Sequence, residues 1–97
     1  MIKLDYNLDI TCKKCQKIIP INTTNKDFTN SKEERSLGYE TEHEYERYMK
    51  CPSCGNDITV GIHVYEYPTD WINCSLVFGS GYFKNEVIEQ LDSINKV

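Results

Sequence analysis

Two short cysteine pairs, Cys12-Lys13-Lys14-Cys15 and Cys51-Pro52-Ser53-Cys54, carry the clearest chemistry in this chain. Two thiolates separated by two residues face one ion from a single turn, and two such turns close a tetrahedron around it. A closed tetrahedron leaves no position for substrate or for an activated water, so the chemistry is that of a structural metal and not of a catalyst. Pro52 presets the second turn, and Gly55 supplies a permissive backbone directly after it. Lys13, Lys14, Lys17 and Lys50 crowd the pairs and offset the negative charge that four thiolates leave around a divalent cation.

A chain of 97 residues with 39% hydrophobic content has room for one domain and a modest core. Domains this small gain from a staple, and a structural Zn2+ contributes on the order of 10 kcal/mol. The formal charge of -4 becomes more negative once four thiolates bind one divalent ion. That sign argues against nonspecific binding of a phosphate backbone, which needs a basic stripe. The first ten residues alternate acidic and apolar side chains, unlike a secretory leader, and no apolar run reaches the length of a membrane helix. Five cysteines cannot all pair within one chain, so a reducing, cytoplasmic setting is expected.

The elements that must position the two pairs follow from side-chain period. Leu4, Tyr6, Leu8 and Ile10 alternate with polar residues and predict a half-buried strand entering the first pair. Residues 17–21 predict a short returning strand that Pro20 confines to an edge or a strand end. Residues 22–36 hold Phe28 as their one apolar side chain and read as a polar surface loop, with at most one helical turn at 32–35. From 39 to 49, Tyr39, Thr41, His43, Tyr45, Arg47 and Met49 alternate with glutamates, which a strand gathers on one face. Ile58, Val60, Ile62 and Val64 predict the return strand, 58–67, and the pairing Met49–Ile58, Tyr45–Ile62 and His43–Val64 joins the apolar faces.

Turn residues at 67–71 lead to a further strand, 72–78, that carries Cys74 as a buried core residue and stops at Gly79-Ser80-Gly81. Residues 85–95 switch to a helical period, with Asn85 as N-cap and Val87, Ile88, Leu91 and Ile94 as the apolar stripe. The expected organisation is one domain, 1–97: first knuckle 1–21, polar loop 22–36, second knuckle hairpin 37–67, and strand with C-terminal helix 71–97.

Glu40, Glu42, Glu44 and Glu46, with His63, Tyr65, Tyr67, Trp71 and Tyr39 near them, form the remaining candidate site. The plain alternative is a solvated sheet face. As a binding surface, the aromatic side chains supply anchors and the carboxylates steer a basic protein partner. His63 beside Glu44 reads as a surface pair and not as an acid or base, and nothing positions a nucleophile beside a base, so the chain is not expected to be an enzyme.

Over residues 8–66 the two Cys-x-x-Cys turns resemble the zinc-ribbon, or rubredoxin-like, group of small domains. That resemblance implies Zn2+ held by Cys12, Cys15, Cys51 and Cys54. Cys51-Pro52-x-Cys54-Gly55 also matches the iron-binding rubredoxin turn, whereas Gln16 stands where the first turn would repeat the glycine, so zinc is the expected ion and an electron carrier the alternative. Zinc ribbons serve as nucleic-acid binders, docking modules and structural inserts. In size and acidity the chain is also similar to small immunity proteins and antitoxins, which cover the active sites of basic nuclease toxins. The reading is therefore a β-rich α+β fold, a zinc ribbon with an extended antiparallel hairpin sheet and one C-terminal helix, acting as a protein-binding module. Binding of nucleic acid through the knuckle lysines and the tyrosines is the second alternative.

Overall fold

The computed structural model describes residues 2–36 and 38–95; residues 1, 37, 96 and 97, which include ends of three expected segments, lie outside the described residues. The fold is β-rich α+β, with a two-stranded sheet, a four-stranded antiparallel sheet and one C-terminal helix. Ile2, Leu4, Tyr6, Leu8 and Ile10 are all buried and the residues between them are exposed, as a period of two requires. The ladder is confined to β1, Asn7–Thr11, which pairs with β2, Ile18–Asn22, with Leu8 opposite Ile21 and Ile10 opposite Ile19; ahead of it the Tyr6 carbonyl still accepts from the Thr23 amide at 2.9 Å.

The expected strand at Leu4 has the right burial, yet its ladder begins later because the partner chain leaves after Asn22 for a 3-10 turn, Asn25–Asp27. Beyond that bond, side chains replace the missing ladder. The Thr23 hydroxyl accepts from the Tyr6 amide at 3.0 Å and donates to the Leu4 carbonyl at 2.6 Å. Asn25 accepts from the Leu4 amide at 2.6 Å and donates to the Ile2 carbonyl at 3.0 Å. Buried backbone groups are thereby satisfied without a third strand.

The polar loop expected over 22–36 is corrected: Thr29–Arg35 is a strand, β3, at the edge of the large sheet, and the helical turn at 32–35 is part of it. All seven of its residues are exposed, so neither face imposes an apolar period and the sequence gives no alternation to read. Its register sets Ser31 opposite Glu42 and Glu33 opposite Glu40. The charged edge satisfies the backbone of the next strand while discouraging further pairing.

β4, Gly38–Lys50, pairs with β5, Asp57–Glu66, in the expected register: Met49 opposite Ile58, Tyr45 opposite Ile62, His43 opposite Val64. One face buries Tyr45, Ile58, Val60, Ile62 and Val64 against β1, β2, Phe28 and Tyr82. At 13 residues β4 is about 44 Å long at the usual rise per residue, which accounts for the 48 Å long axis of the molecule.

β6, Ile72–Ser80, extends past its expected end, with Gly79 still paired to Val60. It also corrects Cys74, which is exposed. Ile72 lies opposite inward-facing Glu66, whereas Cys74 lies opposite outward-facing Tyr65, so Asn73 is an extra residue that inverts the phase of the strand. The same inversion turns Leu76 and Phe78 outward.

The helix α1, Lys84–Ile94, packs on β6 and β1. Phe83 is its N-cap, so Asn85 lies inside the first turn and not at the cap. Val87 and Leu91 are its buried residues, while Ile88 and Ile94 are 38% and 49% exposed, a narrower stripe than the sequence period implies. Part of the contact is polar instead: Gln90 accepts from the Asp9 amide and donates to the Asp9 carbonyl, both at 2.8 Å, and so serves β1 as a strand partner would.

Candidate metal centre

Each cysteine pair sits in a hairpin connection, the first between β1 and β2 and the second between β4 and β5. The two turns are built alike. The Cys12 amide donates to the Lys17 carbonyl at 2.9 Å and the Gln16 amide to the Cys12 carbonyl at 2.9 Å; in the second turn Cys51 donates to Asn56 at 2.8 Å and Gly55 to Cys51 at 2.8 Å. Both turns then need a left-handed residue, Gly55 at φ 75° and Gln16 at φ 64°. Glutamine adopts that conformation at a cost of about 1–2 kcal/mol, so the missing glycine of the first turn changes its strain and not its path.

The four sulfurs lie within 4.8 Å of one another. Cys12 Sγ is 3.7 Å from Cys54 Sγ, and Cys15 Sγ is 3.5 Å from Cys51 Sγ. A tetrahedral ion with metal–sulfur bonds of about 2.3 Å has edges of about 3.8 Å, so the donor set fits a metal ion such as zinc. All four predicted ligands are thus brought together, each of the two close contacts crossing from one turn to the other.

Hydrogen bonds prepare the sulfurs unequally. The Cys15 amide, helped by the Lys14 amide and nearby thiols, overcomes burial and holds the Cys12 thiol down to about 6. Burial opposes ionisation of Cys51, but the amides of Cys54 and Ser53 and the Cys15 thiol together bring it below the ordinary thiol value. At Cys54 the Asn56 amide favours the thiolate, yet burial and the thiols of Cys15, Cys12 and Cys51 push it up to about 12. Four adjacent sulfurs ionise together only when a cation compensates them.

Supporting groups come from residues with no signal in the sequence. Asn56 points its amide at Cys12 Sγ, 3.6 Å away, and at the Gly81 carbonyl, 3.4 Å away. Gly81 also accepts from the Lys13 amide at 3.0 Å, and Tyr82 forms a bridge with Cys12. The segment after β6 therefore braces the first turn. Lys13, Lys14 and Lys17 stand exposed around that turn, while Lys50 pairs with Asp57 at 3.0 Å.

The second candidate site lies on the outward face of the large sheet. Register sets Glu42 opposite Tyr65 and Glu44 opposite His63, and Glu40 and Glu46 continue the same row. His63 pairs with Glu42, not with Glu44: Nδ1 lies 3.1 Å from a Glu42 oxygen that also accepts from the Tyr65 hydroxyl at 3.0 Å. That acceptor bond pushes the Tyr65 hydroxyl above the ordinary phenol value. Arg35 bridges Glu33 at 2.9 Å and Glu40 at 3.4 Å, relieving two carboxylates set opposite each other.

Among the described residues Glu44 and Glu46 have no ion pair. Tyr67 is at the strand end with its hydroxyl 3.5 Å from that of Ser36, and Trp71 is exposed in the following turn. Tyr39 belongs to the opposite face of β4, since odd-numbered residues there point inward. The face also carries what sequence reasoning missed: Leu76 opposite His63 and Phe78 opposite Gly61, 44% and 45% exposed, with the Phe78 ring 4.6 Å from His63. Only the bulge at Asn73 puts them there.

Among the described residues no helix is long and apolar enough to cross a membrane. The chain matches no protein-family model, no curated protein and no solved structure, so what is established of it is a small β-rich domain with a tetracysteine site suited to a metal ion.

Proposed function

We propose that this chain is a zinc-stapled, non-enzymatic binding module whose outward sheet face docks a basic protein, in the manner of an inhibitor that covers a basic enzyme such as a nuclease. The donor set supports zinc, because four thiolates satisfy its tetrahedral preference and leave no position for a substrate or an activated water. The docking surface rests on one observation above all: two exposed apolar side chains, Leu76 and Phe78, stand in one sheet face with a glutamate row in which Glu44 and Glu46 have no ion pair among the described residues. Apolar anchors beside uncompensated carboxylates favour a partner that brings both an apolar patch and lysines or arginines.

The test is a kinetic one on the partner recovered with the native protein. The double reversal Glu42→Lys with Glu44→Lys is expected to slow association by about tenfold or more at low salt, with the difference shrinking as salt rises. Leu76→Ser with Phe78→Ser is expected to act on dissociation instead. Surface plasmon resonance separates the two. A partner whose rates are unchanged by both pairs does not bind this face.

A further inference from the structure

We propose that Glu42, Glu44 and His63 form a second metal site, open to solvent on the outward sheet face, for a divalent first-row ion such as Zn2+. One oxygen of each carboxylate and one ring nitrogen all lie within 4.8 Å of one another. β4 supplies the two glutamates and β5 the histidine, and register sets Glu44 directly opposite His63. From Glu42 to Lys50, the neighbour of Cys51, β4 runs eight residues, about 27 Å, so this set is remote from the four cysteines.

Strand geometry alone does not bring these donors together. Residues two apart on a strand have Cα atoms about 7 Å apart, and two carboxylates repel each other. Here an oxygen of each glutamate nevertheless comes within 4.8 Å of the other and of the imidazole. His63 Nδ1 is 3.1 Å from the Glu42 oxygen, which matches one edge of a coordination sphere with bonds of about 2.1 Å. An ion entering there takes the place of the proton between nitrogen and oxygen. Glu44 is exposed and closes the third corner by turning its own side chain. The other two ligands are already held: the His63 ring lies against Phe78, 4.6 Å between centroids, and the Tyr65 hydroxyl donates to the same Glu42 oxygen at 3.0 Å. Contacts of that kind orient ligands and raise their affinity for an ion.

A second observation separates this set from an ordinary acidic surface: among the described residues no lysine or arginine is paired with it. On β3 the positions opposite Glu42 and Glu44 are Ser31 and Thr29, and on β6 the position opposite His63 is Leu76. Arg35, which shares the face, is engaged with Glu33 and Glu40. His63 is the one basic partner of Glu42 among the described residues, and Glu44 has none. The short side chains of Ser31 and Thr29 also leave the approach from that flank open. One imidazole nitrogen with two carboxylate oxygens suits Zn2+, Ni2+ or Cu2+, whereas Mg2+ prefers oxygen and keeps its water. Three protein ligands leave a position for water or for a donor from another molecule, unlike the closed set of four cysteines.

The experiment starts from the reduced protein holding one equivalent of Zn2+ at the cysteines, with no partner present. Further Zn2+ is added in a calorimeter, and Ni2+ is added to the 15N-labelled protein. A second equivalent of Zn2+ is expected to bind saturably, and Ni2+ to broaden the amides of residues 42–44 and 62–64 first while both cysteine turns stay sharp. Mg2+ at the same concentration should do neither. His63→Gln and, separately, Glu44→Gln should each weaken the second equivalent at least about tenfold, and Tyr65→Phe, which removes only the phenol behind Glu42, about tenfold, each with the first equivalent retained. The proposal is overturned if no second equivalent saturates, if Mg2+ binds as tightly, if the broadening centres elsewhere, or if either ligand variant binds like the parent. Because the ion is tested alone, failure here leaves the docking reading intact, and failure of the docking test leaves this site intact.

Discussion

Replacing Cys51 by serine is expected to abolish the folded state at room temperature, seen as loss of amide dispersion by NMR and of the β signal by circular dichroism. A structural zinc contributes on the order of 10 kcal/mol, which is comparable with the whole stability of a typical domain. Loss of one thiolate opens the tetrahedron and leaves three sulfurs that repel one another around a weaker site. The location makes matters worse. The first turn belongs to the two-stranded sheet and the second to the four-stranded sheet, so an ion held by the four sulfurs would join the two at one end. A Cys51→Ser chain with the parent's melting temperature would show that the cysteines hold nothing essential.

Gly79→Ala is expected to cost more than about 4 kcal/mol, lowering the melting temperature by about 20 °C or preventing folding. A Cβ at this position would stand 1.8 Å from the Thr59 carbonyl oxygen, and the residue has φ 111°, a conformation that side chains rarely adopt. The obstacle is backbone on the neighbouring strand, which cannot rotate away. Gly55→Ala is the matched control, with φ 75° but nothing within 4 Å of the added carbon. It should cost only about 1–2 kcal/mol. Equal effects from the two substitutions would mean that the close approach of β5 and β6 at Gly79 is not a real constraint.

These two expectations also mark where the sequence was readable. The cysteine turns could be recognised because metal ligation demands residue type and spacing together. The register of β4 with β5 followed from two apolar faces that admit one alignment, and a slip of one residue would have set glutamates against Ile58 and Ile62. β3 was hidden for the converse reason: all seven of its residues are exposed, so no buried face imposes an apolar period. Cys74, Leu76 and Phe78 were misplaced or missed because one extra residue, Asn73, inverts the alternation of β6, and a bulge has no fixed side-chain signature. The outward face therefore looked purely acidic and aromatic from sequence, whereas it also holds apolar anchors. The helix was legible in type but not in detail, since its tie to β1 is made by Gln90 and not by Ile88 or Ile94.

The central claim is that a metal ion held by Cys12, Cys15, Cys51 and Cys54 is what holds this chain folded. Its most direct test is a titration of the reduced, metal-free chain with zinc, followed by circular dichroism. The account predicts a chain without β structure at the start and full recovery of the fold at one equivalent of zinc. A metal-free chain that already shows the complete β signal, unchanged by zinc, would contradict it.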